Sequence, residues 1–456
     1  MAGDDRGARR LKIAVVGTGI AGMSAAWLLS QRHDVTVYEA AKRIGGHTNT
    51  VDTPAWGGGH VPIDTGFIVY NELNYPNLVA LFDHLGVETR GSDMSFAVSL
   101  DDGRLEYGST SLKAIFAQKR NLLRPRFWSM LRDLQRFYKT APHTVDHEDL
   151  STTLGDYLEK HSYGNAFQRD HLLPQASAIW SSDIRTIRDY PVSSFVRFFE
   201  NHGLLEIDID ARPQWRTVVG GSRAYIPHLT APYADRIRLN AEVRAIVRTG
   251  VGVVVQDASG AAEPYDEVVI AAHAPQALAM LAEPTPAERE VLGAIRYTPN
   301  TAVLHTDVSL MPRRKAAWSA WNYVGESGGP MGGRGEVTYW MNLLQGLPGP
   351  EQYLVSLNPP AHPAPGTVIA TECYEHPLFD VAAGLAQRRL WSLQGARNTW
   401  FCGAYFGSGF HEDGLQSGLA VAEALGGVRR PWLVENESGR IFVDPPQAAT
   451  ARAAAA

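Results

Sequence analysis

The run Lys12-Ile13-Ala14-Val15-Val16-Gly17-Thr18-Gly19-Ile20-Ala21-Gly22, continuing into Met23-Ser24-Ala25-Ala26-Trp27-Leu28-Leu29, reads as a buried strand, a glycine turn and a helix. Each glycine has a task in such a unit: Gly17 permits the tight turn, Gly19 lets backbone approach a pyrophosphate, and Gly22 lets helix pack on strand. Ile20 and Ala21 open the helix, whose free N–H groups and positive dipole end suit phosphates. A second strand, Val35-Thr36-Val37-Tyr38-Glu39, ends on a carboxylate placed for a ribose hydroxyl, with Ala40 beside it. The pattern predicts a dinucleotide site. Arg43-Ile44-Gly45-Gly46-His47 then offers a second glycine pair for the pyrophosphate, with Arg43 supplying positive charge. Nicotinamide sites do not usually carry this extension, so a flavin is the expected ligand.

The chain has 456 residues, too many for one simple core, and about two domains are expected. Hydrophobic content of 45% and charged content of 20% are ordinary globular values, and a net charge of −6 gives no reason to expect nucleic acid. Cys373 and Cys402 are the only cysteines, which argues against a disulfide framework or a metal cluster and fits a reducing cytoplasm. Met1 to Arg10 is polar, and the apolar stretch after it is broken by glycines, so neither a signal peptide nor a spanning helix is expected.

Further along, Pro213 to Ser222 reads as a strand ending in a turn at Gly220-Gly221, and Ile237 to Asn240, Val243 to Ile246 and Gly252 to Val255 read as short strands. Glu267-Val268-Val269-Ile270-Ala271-Ala272 is a buried run, and Thr399 to Ala404 another strand. Gly414-Leu415 is expected to open a small-residue helix capped by Asp413. Tyr190 to Phe199 shows no clear period. These pieces place a cofactor domain in 1–70, 214–290 and 395–430, a substrate domain in 71–213 and 291–394, and a mobile tail in 445–456. The expected class is α/β, a Rossmann-like FAD-binding domain interleaved with an α+β substrate domain.

The order of motifs resembles the flavin amine oxidase and carotenoid desaturase superfamily over nearly the whole chain. Its markers are Gly17, Gly19, Gly22, Glu39, Gly45-Gly46, Gly220-Gly221 and the Gly403 to Gly418 segment. Ala178-Ile179-Trp180-Ser181, Asn201-His202-Gly203-Leu204-Leu205, Trp318 to Tyr323, Thr338 to Asn342 and Gly409-Phe410-His411-Glu412-Asp413-Gly414 are more specific. They resemble a bacterial branch linked to lipid methyltransferases, and within it the methylene-fatty-acyl dehydrogenases of furan fatty acid biosynthesis. That resemblance implies FAD bound through Gly17, Gly19, Ile20, Ala21, Gly22, Glu39, Ala40, Arg43, Gly45, Gly46, His47, Val243, Ala271, Gly403, Asp413, Gly414 and Leu415. It also implies dehydrogenation of a methylene-branched acyl chain, held in a phospholipid, to a conjugated diene, with a lipid methyltransferase as partner. Amine or polyene oxidation, the reverse reduction, and a flavin-binding partner without turnover are the rival functions.

Two departures stand out. Ala404 occupies the place where many relatives carry an acid for the ribityl chain, and no Ser-Gly-Gly-Cys-Tyr attachment motif exists, so noncovalent FAD is expected. His411 is the leading proton acceptor, since histidine suits proton transfer near neutral pH, with Glu412 the second candidate. His202 and Asn201 read first as packing residues. Trp318, Trp321, Tyr323, Tyr339 and Trp340 suit either a lipid pocket wall or ordinary core.

Lys113 to Lys139 carries eight basic residues against the single acid Asp133, interleaved with apolar side chains. The pattern predicts amphipathic helices over 112–138, divided at Pro125, that suit an anionic surface. Peripheral attachment to the cytoplasmic face of the inner membrane follows as an expectation.

Overall fold

The computed structural model describes residues 9–55, 57–206, 212–326, 337–359 and 361–443. The tail predicted at 445–456 lies outside them. Five strands form an all-parallel sheet: β1 (Lys12–Val16), β2 (Asp34–Tyr38), β3 (Ile237–Arg238), β4 (Glu267–Ile270) and β5 (Thr399–Phe401), in the order β3-β2-β1-β4-β5. These strands are short apolar runs because both faces of the sheet are covered.

Helix α1 (Ile20–Ser30) follows the glycine turn and is buried on nearly every side, having no polar face to show. A late helix, α6 (His411–Ala424), crosses it so closely that a Cβ on Gly418 would stand 2.2 Å from the Ala21 carbonyl oxygen. Gly22 has a parallel role below, since its Cβ would lie 2.0 Å from the Gly17 carbonyl oxygen. The predicted cap is corrected here: α6 begins at His411 after Phe410, and Asp413, at the third helical position, reaches back to accept from Phe410 N at 2.8 Å.

A second, seven-stranded sheet runs Val368–Pro377, Tyr297–His305, Leu354–Leu357, Val337–Trp340, Trp321–Gly325, Phe96–Leu100, Leu105–Gly108. Only Trp321–Gly325 and Phe96–Leu100 pair in parallel. Beside it lie α3 (Pro125–Thr144), α4 (Leu173–Trp180) and α5 (Val192–Asn201), whereas α2 (Pro76–Leu85) packs on α6 in the core it shares with α1. The stretch divides at Pro125 as expected: Leu112–Ile115 and a 3-10 turn over Lys119–Leu123 end before it, and Pro125 is the first residue of α3, where its missing N–H costs nothing. The aperiodic-looking Tyr190 to Phe199 stretch is α5, with Phe195, Phe198 and Phe199 on one buried face.

Candidate active site

One cavity of about 590 Å³ runs from the C-terminal ends of β1 and β2 to the helices α4 and α5. Ligands bind in this position on open parallel sheets. At the sheet end its wall is glycine and small residues. Gly17 adopts φ +104°, and its N–H donates to the Tyr38 carbonyl at 2.8 Å. A Cβ on Gly17 would meet the Ala271 carbonyl oxygen at 2.6 Å, whereas one on Gly19 would meet nothing within 4 Å. Gly46 closes the cradle from the other side, where a Cβ on it would stand 3.2 Å from the Gly19 Cα. Glu39 accepts from Thr18 N at 3.1 Å and from the Thr18 hydroxyl on one oxygen, and from Ala41 N at 2.8 Å on the other, which keeps capacity on a carboxylate that lines the cavity.

Of the residues predicted for the cofactor, Gly17, Gly19, Ile20, Ala21, Glu39 and Ala40 line this cavity, as do Gly46, His47, Val243, Ala271 and Gly403. Six do not, and each has a supporting task. Gly22 packs under the turn. Gly45 donates to the Thr18 carbonyl at 3.1 Å, and Arg43 donates to the Gly46 carbonyl at 2.9 Å, so both hold the second turn in place. Gly414 abuts Ile20, and Leu415 is core. Asp413 pairs with Arg440 at 2.7 Å.

His411 lines the cavity, stacked on Phe67 with ring centres 3.7 Å apart. Its Nε2 is already engaged, 3.0 Å from Thr48 Oγ1 and 3.3 Å from Tyr225 OH, and burial lowers its pKa to about 3. Glu412 is absent from the wall. Its carboxylate accepts from Asn77 N at 3.1 Å, Asn77 Nδ2 at 2.8 Å, Leu78 N at 2.9 Å and Gln416 Nε2 at 2.8 Å, and so caps the start of α2. The catalytic expectation for Glu412 is corrected accordingly: a carboxylate spent on four donors away from the cavity has no route to a substrate proton.

His202 is the histidine that sequence reading undervalues. Its Nδ1 lies 2.8 Å from the Phe198 carbonyl oxygen, which can only accept, so Nδ1 carries the proton and Nε2 the bare lone pair. That Nε2 is buried without a partner, in a residue that lines the cavity. Burial lowers the ring's pKa to about 3, with Arg440 adding to the effect. The ring stacks on Phe198 at 3.9 Å, and Phe198 stacks on Phe410 at 5.0 Å. Trp180, Trp215, Ile179 and Leu204 continue the apolar wall.

A third feature lacks any sequence forecast beyond His47. The His47 ring stacks on Tyr374 at 4.8 Å and lies 5.4 Å from His376, while His273 stacks on Tyr297 at 4.4 Å. Burial, and then the neighbouring histidines, hold His47 well below the usual histidine range. His273 was findable in principle, since it follows the buried run ending at Ala272 and so stands at the C-terminal end of a parallel strand. Tyr374 and His376 sit at the end of a long, partly exposed strand and carry no such signal. Of the aromatic strings, Trp321 and Tyr339 line the cavity, whereas Trp318 and Trp340 bond to Pro312 and Gln352.

The model of the family described as "Flavin containing amine oxidoreductase" matches residues 20–374. The chain belongs to that family. Its cofactor is FAD, and the residues present fit it: a glycine cradle open at Gly19, a free-facing carboxylate at Glu39, and a cavity long enough to run past both. The "Putative flavin-containing monoamine oxidase AofH" of Mycobacterium tuberculosis is 26% identical over 258 residues, 55% of this chain and 54% of that protein. The chain thus spans about half the length of the curated relatives it matches. Among solved structures, a fatty acid isomerase of P. acnes that produces CLA has a TM-score of 0.63 at 17% identity, covering 91% of this chain and 98% of that one. Putrescine oxidase bound to putrescine has a TM-score of 0.64 at 16% identity, covering 91% and 99%. At such identities the likeness shows the flavin amine oxidase fold alone, with its mixed α/β sheets.

Proposed function

We propose that this family member is an FAD-dependent dehydrogenase of a lipid acyl chain. The acyl group is methylene-branched, as the sequence resemblance implies, and is converted to a conjugated diene on the way to furan fatty acids. One observation carries the reading: among the described residues, the stretch of cavity wall made by Ile179, Trp180, Phe198, Leu204, Trp215 and Phe410 is aromatic and aliphatic and contributes no carboxylate. Three acids line the cavity. Glu39 sits in the cradle, Glu242 pairs with Arg244 at 2.7 Å, and Glu375 lies 3.2 Å from His273 Nδ1. A buried ammonium group without such a partner is costly, whereas an acyl chain is at home there. The P. acnes isomerase supports the reading in that its fold takes a fatty acid.

FAD, when bound, supplies the hydride acceptor. The chain's own residues do the rest. Phe198, Phe410 and Trp180 hold the acyl chain, exclude water, and bring an allylic C–H beside His202. Nε2 of His202, held neutral by burial, receives the proton that leaves with the hydride, and one new C=C bond remains. An allylic hydrogen beside a methylene branch is weaker and more acidic than an ordinary chain hydrogen.

Oxidation of a small neutral amine is the second reading, favoured by the similarity to the mycobacterial oxidase. Anaerobic mixing separates the two. A methylene-branched phospholipid should bleach the bound flavin stoichiometrically and emerge lighter by two hydrogens in mass spectrometry. Bleaching by amines alone would replace this reading with the second, a product heavier by two hydrogens formed when the lipid is mixed with pre-reduced flavin would reverse the reaction, and no bleaching by either would remove turnover.

A further inference from the structure

Residues 112–132 place apolar and cationic side chains together on one surface. Leu112 and Leu123 are 76% and 87% exposed, and Leu122 and Trp128 about half exposed. Trp128 lies 6.0 Å from Phe116 and donates Nε1 to the Leu122 carbonyl at 2.9 Å, which gathers these residues into one patch. Cations surround it. Lys113, Lys119 and Arg120 are exposed, and the fold adds a distant residue, Arg104, whose carbonyl accepts from Arg120 and Arg124 at 2.8 Å each. The Arg124 guanidinium has its pKa lowered, by burial and then by Arg120, Arg104 and Arg314, as expected where cations outnumber acids. Most nearby acids are already paired: Asp170 with Arg126, Glu106 with Arg314, Asp133 with the Gly164 N–H, Asp101 with Arg104 at 3.9 Å, and the exposed Asp102 with Arg313.

We propose that this surface docks the protein on an anionic lipid bilayer, with the leucines and Trp128 entering the interface and the lysines and arginines meeting lipid phosphates. Exposed leucines beside lysines cost free energy in water and recover it where hydrocarbon and anionic headgroups adjoin. A nucleic acid would satisfy the cations and leave the leucines in water, so charge and apolarity together favour the bilayer. Among the described residues no helix is long and apolar enough to cross a membrane, so the contact is with its surface. The inference stands on this surface alone and does not require the acyl-chain reading of the cavity.

Co-sedimentation of the FAD-loaded full chain with vesicles tests it. The protein should pellet with phosphatidylcholine–phosphatidylglycerol vesicles at low salt, less at high salt, and stay in solution with phosphatidylcholine alone. Lys113→Gln and Lys119→Gln should each lower the partition coefficient about fivefold, from ~1 kcal/mol per basic residue at such a surface. Leu123→Asp should lower it further, with FAD content and melting temperature kept. Wild type left in the supernatant, equal binding to neutral vesicles, or folded variants that bind like wild type would each overturn the proposal. So would tighter binding to single-stranded DNA than to the anionic vesicles.

Discussion

His202 Nδ1 and the Phe198 carbonyl oxygen lie 2.8 Å apart, one helical turn from each other at the end of α5, and this bond leaves the lone pair of Nε2 unpartnered. A carbonyl cannot donate, so the ring's tautomer is settled by a single contact. Replacing His202 by Gln keeps a polar side chain of similar reach and removes the proton acceptor. Substrate-driven flavin reduction should slow by about 10²–10⁴-fold, the usual worth of a positioned general base, with FAD content unchanged. His411→Gln should slow it far less, because His411 Nε2 is engaged by Thr48 and Tyr225. Stopped-flow reduction at equal FAD loading decides between them, and a reversed order would return the role to His411.

Glu412 makes the opposite forecast. Its carboxylate holds the otherwise unpaired Asn77 and Leu78 N–H groups at the start of α2, so Glu412→Ala should destabilise the fold by about 2–4 kcal/mol by leaving buried donors unmet. Glu412→Gln keeps acceptor capacity and should cost less. Neither should change the reduction rate of the fully loaded protein by more than about twofold, a fraction of a kcal/mol in barrier. A large rate loss at full loading would put Glu412 back into the chemistry.

Much of the cradle was legible because its signals are local. Gly17, Gly19, Glu39 and Gly46 announce themselves through spacing, since a tight turn and a close backbone approach need particular residues at particular intervals. What surrounds the substrate end was not legible, because it is assembled from afar. His202 meets Phe410 only after α5 and α6 are packed, and Glu412 finds Asn77 across more than three hundred residues. The α5 stretch is obscured for another reason: Phe195, Phe198, Phe199 and His202 follow helical spacing, but a run rich in aromatics and valine also suits a strand. His411 was legible only as a candidate base, since its hydroxyl partners, Thr48 and Tyr225, lie on other segments.

Two histidines away from the cavity make stability depend on pH. Burial lowers His171 and His305 to about 4, below the 6.5 of an exposed imidazole. The unfolded chain therefore takes up protons first, and the stability that neutral burial provides, complete above pH 6.5, is lost as pH falls toward 4. At pH 5 each contributes a loss of up to about 2 kcal/mol. Asp64 works the other way. Burial raises its carboxyl to about 6, so its cost is relieved on acidification, by about 1 kcal/mol between pH 7 and 5. The histidines outweigh it, and urea midpoints should fall between those two pH values. His171→Asn should flatten the dependence, and a midpoint that rises on acidification would contradict the balance.

Flavin attachment follows from where the thiols lie. Cys402 is fully buried in the core beside α1, does not line the cavity, and has its thiol pKa pushed up by burial. A thiol without ionising help or access is a poor nucleophile. Acid precipitation should therefore release all of the flavin into the supernatant; flavin retained in the pellet would show a covalent bond.

The glycines of the first turn separate folding from binding. Gly19 has φ −64° and open space where a Cβ would stand, so Gly19→Ala should leave the melting temperature of the cofactor-free protein within a degree or so, an effect below about 0.5 kcal/mol. That open space is the cradle itself, and a methyl group there should weaken FAD binding by about tenfold or more, since ~1.4 kcal/mol of lost contact suffices. Gly17 and Gly22 should behave differently. Gly17 needs φ +104°, and a Cβ on Gly22 would press within 2.0 Å of the Gly17 carbonyl oxygen, so alanine at either position strains the turn whether or not a ligand is present. Melting of cofactor-free protein, set against FAD titration, therefore sorts the three positions. If Gly19→Ala melted early in the absence of flavin, or bound FAD as tightly as wild type, the cradle would not be where the pyrophosphate lies.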